Sequence, residues 1–151
     1  MPKTAASAKK GIPAKAPAVA KTPAVPAAFA AVFERLKAIL TPYARTMTVV
    51  KDTAEWYYLD TKCIGPNKKP IGFAATRLGK AYVSFHLMCV YCNPAATAGM
   101  SPELKKRMQG KSCFNFKQVD DALFAELERL TKAGADWFAT IDRANHQWTA
   151  K

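Results

Sequence analysis

The chain has 151 residues, 50% of them hydrophobic, and a formal net charge of +12. That is enough apolar material for one ordinary core and too little for two well-supported domains. No segment approaches the roughly 18 apolar residues of a membrane span, and no secretion signal is recognisable ahead of Cys63, Cys89, Cys92 and Cys113. A cytoplasmic protein with reduced thiols, no membrane partner and no cofactor is therefore expected.

Residues 1–27 repeat Ala, Lys and Pro without an aromatic residue or a carboxylate. With so little to bury against the entropy of ordering, they read as a disordered tail ahead of a single domain over 28–145, with 146–151 as a frayed end. Lys3, Lys9, Lys10, Lys15 and Lys21 of the tail suggest weak, salt-dependent association with phosphate backbones. A solubilising extension is the competing reading.

The first helix is predicted from about Pro26 to Leu40. Phe29, Val32, Phe33, Leu36, Ile39 and Leu40 recur at three- and four-residue steps, and Pro42 is expected to stop it. An antiparallel meander follows: 46–50 and 55–60 are rich in β-branched and aromatic residues, and the loop 65–70 leads into a strand over 71–77. Leu78-Gly79-Lys80 reads as a tight reversal into a long strand from Ala81 to Tyr91. Val83, Phe85, Leu87 and Cys89 then face one way, and Tyr82, Ser84, His86 and Met88 the other.

Ser101-Pro102-Glu103-Leu104 has the form of a helix start, with Ser101 as cap and Pro102 in the first turn; the helix is expected to end near Gln109-Gly110 with Gly110 left-handed. A short strand over 111–117 sets Ser112, Phe114 and Phe116 against Cys113 and Asn115. Asp120 or Asp121 opens the last helix on a stripe of Leu123, Phe124, Leu127 and Leu130. Gly134 is read as terminating or interrupting it, with Trp137, Phe138 and Ile141 in a further turn and His146 and Trp148 in the frayed end. The sum is a two-layer α+β domain, a mainly antiparallel sheet packed against N- and C-terminal helices, without the strand–helix alternation of a dinucleotide fold.

Charge is the main clue to partners. Between residues 61 and 119 stand Lys62, Lys68, Lys69, Arg77, Lys80, Lys105, Lys106, Arg107, Lys111 and Lys117, against the single acid Glu103. Such a domain presents a positive field to anions, with a solubilising surface as the bland alternative. Lys80, Tyr82, His86, Tyr91, Arg107, Lys111, Ser112, Cys113 and Asn115 combine aromatic faces, hydrogen-bonding groups and fixed positive charge, as a pocket for an anionic or aromatic ligand requires. The bland reading is that these residues only cover the open face of the sheet.

Cys113 has basic neighbours and becomes a nucleophile if the fold brings His86 to it as base. Cys89-Val90-Tyr91-Cys92 has C-x-x-C spacing with His86 three residues earlier, but structural zinc wants a second pair, and regular alternation would separate His86 from Cys89. No metal ligand set is assigned. Asp52, Glu55 and Asp60 read as a solvated strand edge rather than as an acid–base pair.

The segments 80–91 and 100–117 resemble the YdhG-like family of bacterial domains of unknown function, distantly frataxin-like, over roughly 29–134. The resemblance implies a compact α+β domain and brings forward Lys80, Tyr82, His86, Tyr91, Arg107, Lys111, Ser112, Cys113 and Phe114 without assigning them roles. For some members of the broader group it also implies iron handling, yet the first helix offers only Glu34 where clustered carboxylates would be needed. Three functions compete: a non-enzymatic binding domain for a small anionic or phosphate-bearing ligand, a small enzyme using His86 and Cys113, and an iron- or zinc-handling protein.

Overall fold

The computed structural model describes residues 25–143. Most of the expected tail and the expected frayed end, with His146 and Trp148, lie outside the described residues. Helix α1 spans Ala27–Leu40 and buries Phe29, Val32, Phe33, Leu36 and Leu40, the apolar stripe of the sequence. Pro42 does not end the helical path at once: it fits the first turn of a 3₁₀ segment over Thr41–Arg45, where a missing N–H costs nothing.

Strands β1 (Thr48–Asp52), β2 (Trp56–Ile64), β3 (Pro70–Leu78), β4 (Val83–Leu87), β5 (Met108–Gln109) and β6 (Cys113–Phe116) form one sheet in the order β1-β2-β3-β4-β6-β5. Every pairing is antiparallel. Short helices α2 (Met88–Cys92) and α3 (Pro102–Lys105) and the long α4 (Asp121–Arg143) complete the chain. Helices α1 and α4 contact each other and lie against the sheet, so the architecture is the expected two-layer α+β domain.

The core lies between these layers. Alternate strand residues turn into it: Tyr57, Leu59, Thr61 and Cys63 from β2, Val83, Phe85 and Leu87 from β4, Phe114 and Phe116 from β6. Phe33, Phe73, Phe85, Phe114, Phe116 and Phe138 are fully buried, each contributing about 1.5–3 kcal/mol over an exposed ring. Phe116 meets Phe124 edge to face at 5.0 Å, and Phe73 bridges Tyr43 and Phe138 at 5.3 and 6.2 Å. The outer strand β1 is exposed throughout, and its pairing slips by one residue between Val49 and Lys51.

Three expectations are corrected. The strand predicted to reach Tyr91 ends at Leu87, and Met88–Cys92 makes one helical turn. Cys89 and Val90 are both buried, whereas regular strand alternation would turn one of them toward the open face; the turn lets both pack inward. The helix expected to reach Gln109 stops at Lys105, because Leu104 is its one buried side chain and so little burial does not sustain a longer helix. Met108–Gln109 instead pairs with β6, and Gly110 takes its left-handed conformation (φ 78°) between those strands rather than at a helix end. Finally, α4 runs unbroken through Gly134.

Two contacts hold these short elements on α4. Ser101 caps α3 by accepting from the Leu104 N–H at 3.1 Å, while its own N–H and hydroxyl each donate to the buried Glu126 carboxylate at 2.6 Å. At Gly134 the helix comes so close to α2 that a Cβ would run into the Cys89 sulfur and lie 2.8 Å from the Cys89 Cβ. Asp120 opens α4, accepting from the Leu123 N–H at 3.1 Å.

Glu126→Ala is expected to lower the unfolding free energy by about 2–3 kcal/mol, the scale of hydrogen bonds to a charged acceptor. Gly134→Ala gains about 1 kcal/mol of helix propensity but overpacks the contact with Cys89, for a net loss of about 1–2 kcal/mol. Cys89→Ala in the same chain is expected to restore only part of it, since the Cβ clash persists. Urea unfolding of the three variants checks all of these outcomes.

Candidate functional site

Strand alternation that sends the phenylalanines inward sends a polar set the other way, onto the face that α1 and α4 leave uncovered. Trp56, Tyr58 and Asp60 of β2, Arg77 of β3, Ser84 and His86 of β4, and Cys113 and Asn115 of β6 stand there, each half-buried or exposed beside at least one buried neighbour. Register aligns Lys51, Tyr58, Ala75, His86, Cys113 and Gln109 in one row across the sheet, and Trp56, Arg77, Ser84 and Asn115 in the next. Ala75 separates the Tyr58 and His86 strands, which lie about 9.6 Å apart at ordinary strand spacing.

His86 and Cys113 are direct cross-strand partners, and the His86 Nδ1 lies 3.2 Å from the Cys113 Sγ. The Ser112 hydroxyl is 3.2 Å from the same nitrogen, although Ser112 itself is buried. Burial pushes the His86 pKa below its ordinary value of 6.5, so the ring is neutral at neutral pH. With the proton on Nε2, Nδ1 is free to accept from the thiol and from the Ser112 hydroxyl. The proximity on which any joint chemistry of His86 and Cys113 depends is thus present.

Along the same face, burial first and the hydrogen bond to Asp60 second push the Tyr58 phenol up to about 12. The ring reaches across β3 at Gly72, where an added Cβ would sit 2.7 Å from the Tyr58 oxygen. Asp60 Oδ1 is buried without a hydrogen-bond partner. Trp56 stacks on Tyr58 at 6.4 Å and carries Lys51 and Arg77 over its ring at 4.9 and 5.4 Å.

Clefts open at two ends of this face. One, of about 590 Å³ at the turn between β3 and β4, is lined by Arg77, Lys80, Tyr82 and Ser84 with the single carboxylate Glu55. The other, of about 420 Å³, is mainly apolar and runs between the 65–72 segment and α2, lined by Ile71, Gly72, Met88, Tyr91 and Cys92. A third cleft of about 580 Å³ is lined by Tyr43, Met47, Lys62, Lys132 and Asp136.

The nine residues singled out from the sequence therefore fall into groups. Lys80 and Tyr82 belong to the first cleft. His86, Ser112 and Cys113 form the central cluster, and Asn115 follows Cys113 on the same face, its amide donating to the Gln109 side chain. Tyr91 lines the apolar cleft, with Lys111 5.8 Å from its ring centre. Arg107 takes part through its carbonyl, which accepts from the Asn115 N–H at 2.9 Å. Arg77 and Ser84 were not selected from the sequence; alternation along β3 and β4 was the signal that placed them outward.

The C-x-x-C pair does not sit on a strand end as expected. Cys89 lies in the first turn of α2 but is buried, its thiol directed at the Leu130 carbonyl, and burial pushes its pKa up to about 12. Cys92 is also raised by burial. Both shifts run opposite to the activation a redox pair needs. Cys89, Cys92 and Cys113 are free thiols, and among the described residues no group of three or more His, Cys, Asp or Glu is placed to hold a metal ion. No helix among the described residues is long and apolar enough to cross a membrane.

Comparison of the chain with protein-family models, curated proteins and solved structures returned no match.

His86 links the face to pH. Unfolded, its ring takes up a proton near its ordinary pKa of 6.5; folded, only below that. The unfolded state thus binds more protons on the acid side, and stability falls as pH drops from about 7 through 6.5 toward the folded pKa. This group contributes at most about 1.4 kcal/mol per pH unit, and less as water screens the partly exposed ring. In His86→Gln that component is expected to vanish, so the stability difference between the two proteins shifts against the wild type as the buffer is acidified. Urea titrations at about pH 7.5, 6.5 and 5.5 measure it; parallel pH curves would contradict the assignment.

Proposed function

We propose that the uncovered sheet face binds a small anionic or phosphate-bearing ligand, and that the chain acts as a binding domain. The observation that carries this reading is the cleft of about 590 Å³ in which Arg77, Lys80, Tyr82 and Ser84 converge. Two cations and two hydroxyls in one concavity supply what a phosphate group needs: charge, and donors to several oxygens.

Arg77 is favourably prepared for that role. Its guanidinium lies over the Trp56 ring, so part of the freedom a ligand would have to remove is already lost. Glu55 is the one carboxylate in the cleft, and between residues 61 and 119 Glu103 is the only other acid against ten basic residues. The surrounding field therefore favours approach of anions and is screened by salt over about 10 Å at 0.1 M. Of the positions that the resemblance to YdhG-like domains brings forward, Lys80 and Tyr82 line this cleft, so the resemblance and the binding reading share those two residues.

Calorimetric titration with inorganic pyrophosphate at low salt is expected to show saturable binding that weakens as salt is raised. Arg77→Ala and Lys80→Ala are each expected to weaken it about tenfold, equivalent to about 1.4 kcal/mol. A short oligonucleotide, titrated with the full chain and with a chain lacking residues 1–24, separates association through the tail lysines from occupation of the cleft. Absence of saturable pyrophosphate binding at low salt, or binding indifferent to both substitutions, removes the proposal.

A further inference from the structure

We propose that Cys113 is a nucleophilic thiol that exchanges with small anionic disulfides, with His86 taking the thiol proton. The proposal does not depend on the pyrophosphate cleft. It starts from the cluster of three side chains on the neighbouring row, in which the Cys113 Sγ and the Ser112 Oγ both stand 3.2 Å from one imidazole nitrogen.

In the tautomer with its proton on Nε2, the neutral ring turns an Nδ1 lone pair toward the sulfur 3.2 Å away, and that nitrogen is then the base. Ser112, held at the same nitrogen, is a positioning residue that fixes the ring orientation. Cys113 is only half-buried, whereas Cys89 is fully buried against α4. The thiolate is the species that attacks a disulfide, and among these thiols the one with an adjacent base is also the one on the open face.

The exchange balances without a further reagent. The thiol proton moves to His86 Nδ1 as the Cys113 sulfur attacks one sulfur of the disulfide. The old S–S bond breaks, a mixed disulfide forms on Cys113, and the departing thiolate recovers the proton from the imidazolium. Cys113 is oxidised by one electron equivalent, and the released half of the reagent is reduced by the same amount. The row carrying Lys51, Tyr58, Ala75, His86, Cys113 and Gln109 holds no second thiol, so the mixed disulfide is the product on this row.

Charge selects the anionic class. Lys111 lies two positions before Cys113, and the Arg107 backbone pairs with the Asn115 N–H beside it. The row itself holds no carboxylate; Asp60, beside Tyr58 on this face, stands on β2, two strands from His86. A disulfide bearing carboxylates is drawn to this surface and a cationic one is repelled, with the difference shrinking as salt is added.

The test uses the full chain with oxidised glutathione, hydroxyethyl disulfide and cystamine, which are anionic, neutral and cationic respectively. Mass spectrometry follows modification of each cysteine, and each rate is divided by that of 2-mercaptoethanol, a thiol with no other charged group, in the same buffer. At pH 7 and low salt Cys113 is expected to react at least about tenfold faster than Cys92. Its normalised rates should follow anionic, then neutral, then cationic, and converge in high salt. His86→Gln is expected to slow Cys113 about tenfold with all three reagents while keeping their order and the Cys92 rate; the unchanged Cys92 rate reports an intact fold. Cys92 reacting as fast as Cys113, an unaltered Cys113 rate in His86→Gln, or a normalised order led by the neutral or cationic reagent overturns the proposal.

Discussion

The structure depends on one asymmetry: two helices cover one face of a six-stranded sheet and nothing among the described residues covers the other. Because successive strand residues point to opposite faces, the burial that sends Phe85, Phe114 and Phe116 into the core also presents Ser84, His86, Cys113 and Asn115 outward. A one-residue slip of register would exchange those sets and place phenylalanines in water. Core packing therefore holds the polar rows in alignment, and the pairing of His86 with Cys113 is enforced by apolar residues on the far side of the same strands.

Much of this was legible in sequence because it rests on period alone. The stripe of α1, the alternation around His86, the inward Phe114 and Phe116, and the Ser101 cap each follow from local spacing and residue type. What was not legible depends on distant partners. Met88–Cys92 reads as strand because its residues are apolar; it becomes helix because Cys89 meets Gly134, which no local pattern announces. Gly134 in turn looks like a break, yet α4 continues through it because the missing side chain is what lets α2 approach. Strand β5 has two residues, too few to carry any period.

The functional residues divide in the same way. That His86 and Cys113 face outward follows from alternation, but that they meet requires knowing that β6 pairs with β4 across a gap filled by α2, α3 and β5. Arg77 was passed over because a lone arginine in a strand carries no signal until Trp56 and Ser84 are seen beside it. The C-x-x-C spacing, conspicuous in sequence, belongs instead to packing: its first sulfur fills the notch opposite Gly134.

The slip in pairing at Val49 and Lys51 bears on how this molecule behaves in company. An outermost strand with exposed valines at 49 and 50 would ordinarily offer its free amides and carbonyls to any extended chain that drifted past. The inserted residue puts those groups out of step with a straight visitor, and Lys51 sets a charge at the place where sheets would otherwise fuse. A small domain that leaves one side of its sheet bare thus keeps its rim from becoming a seed for fibres.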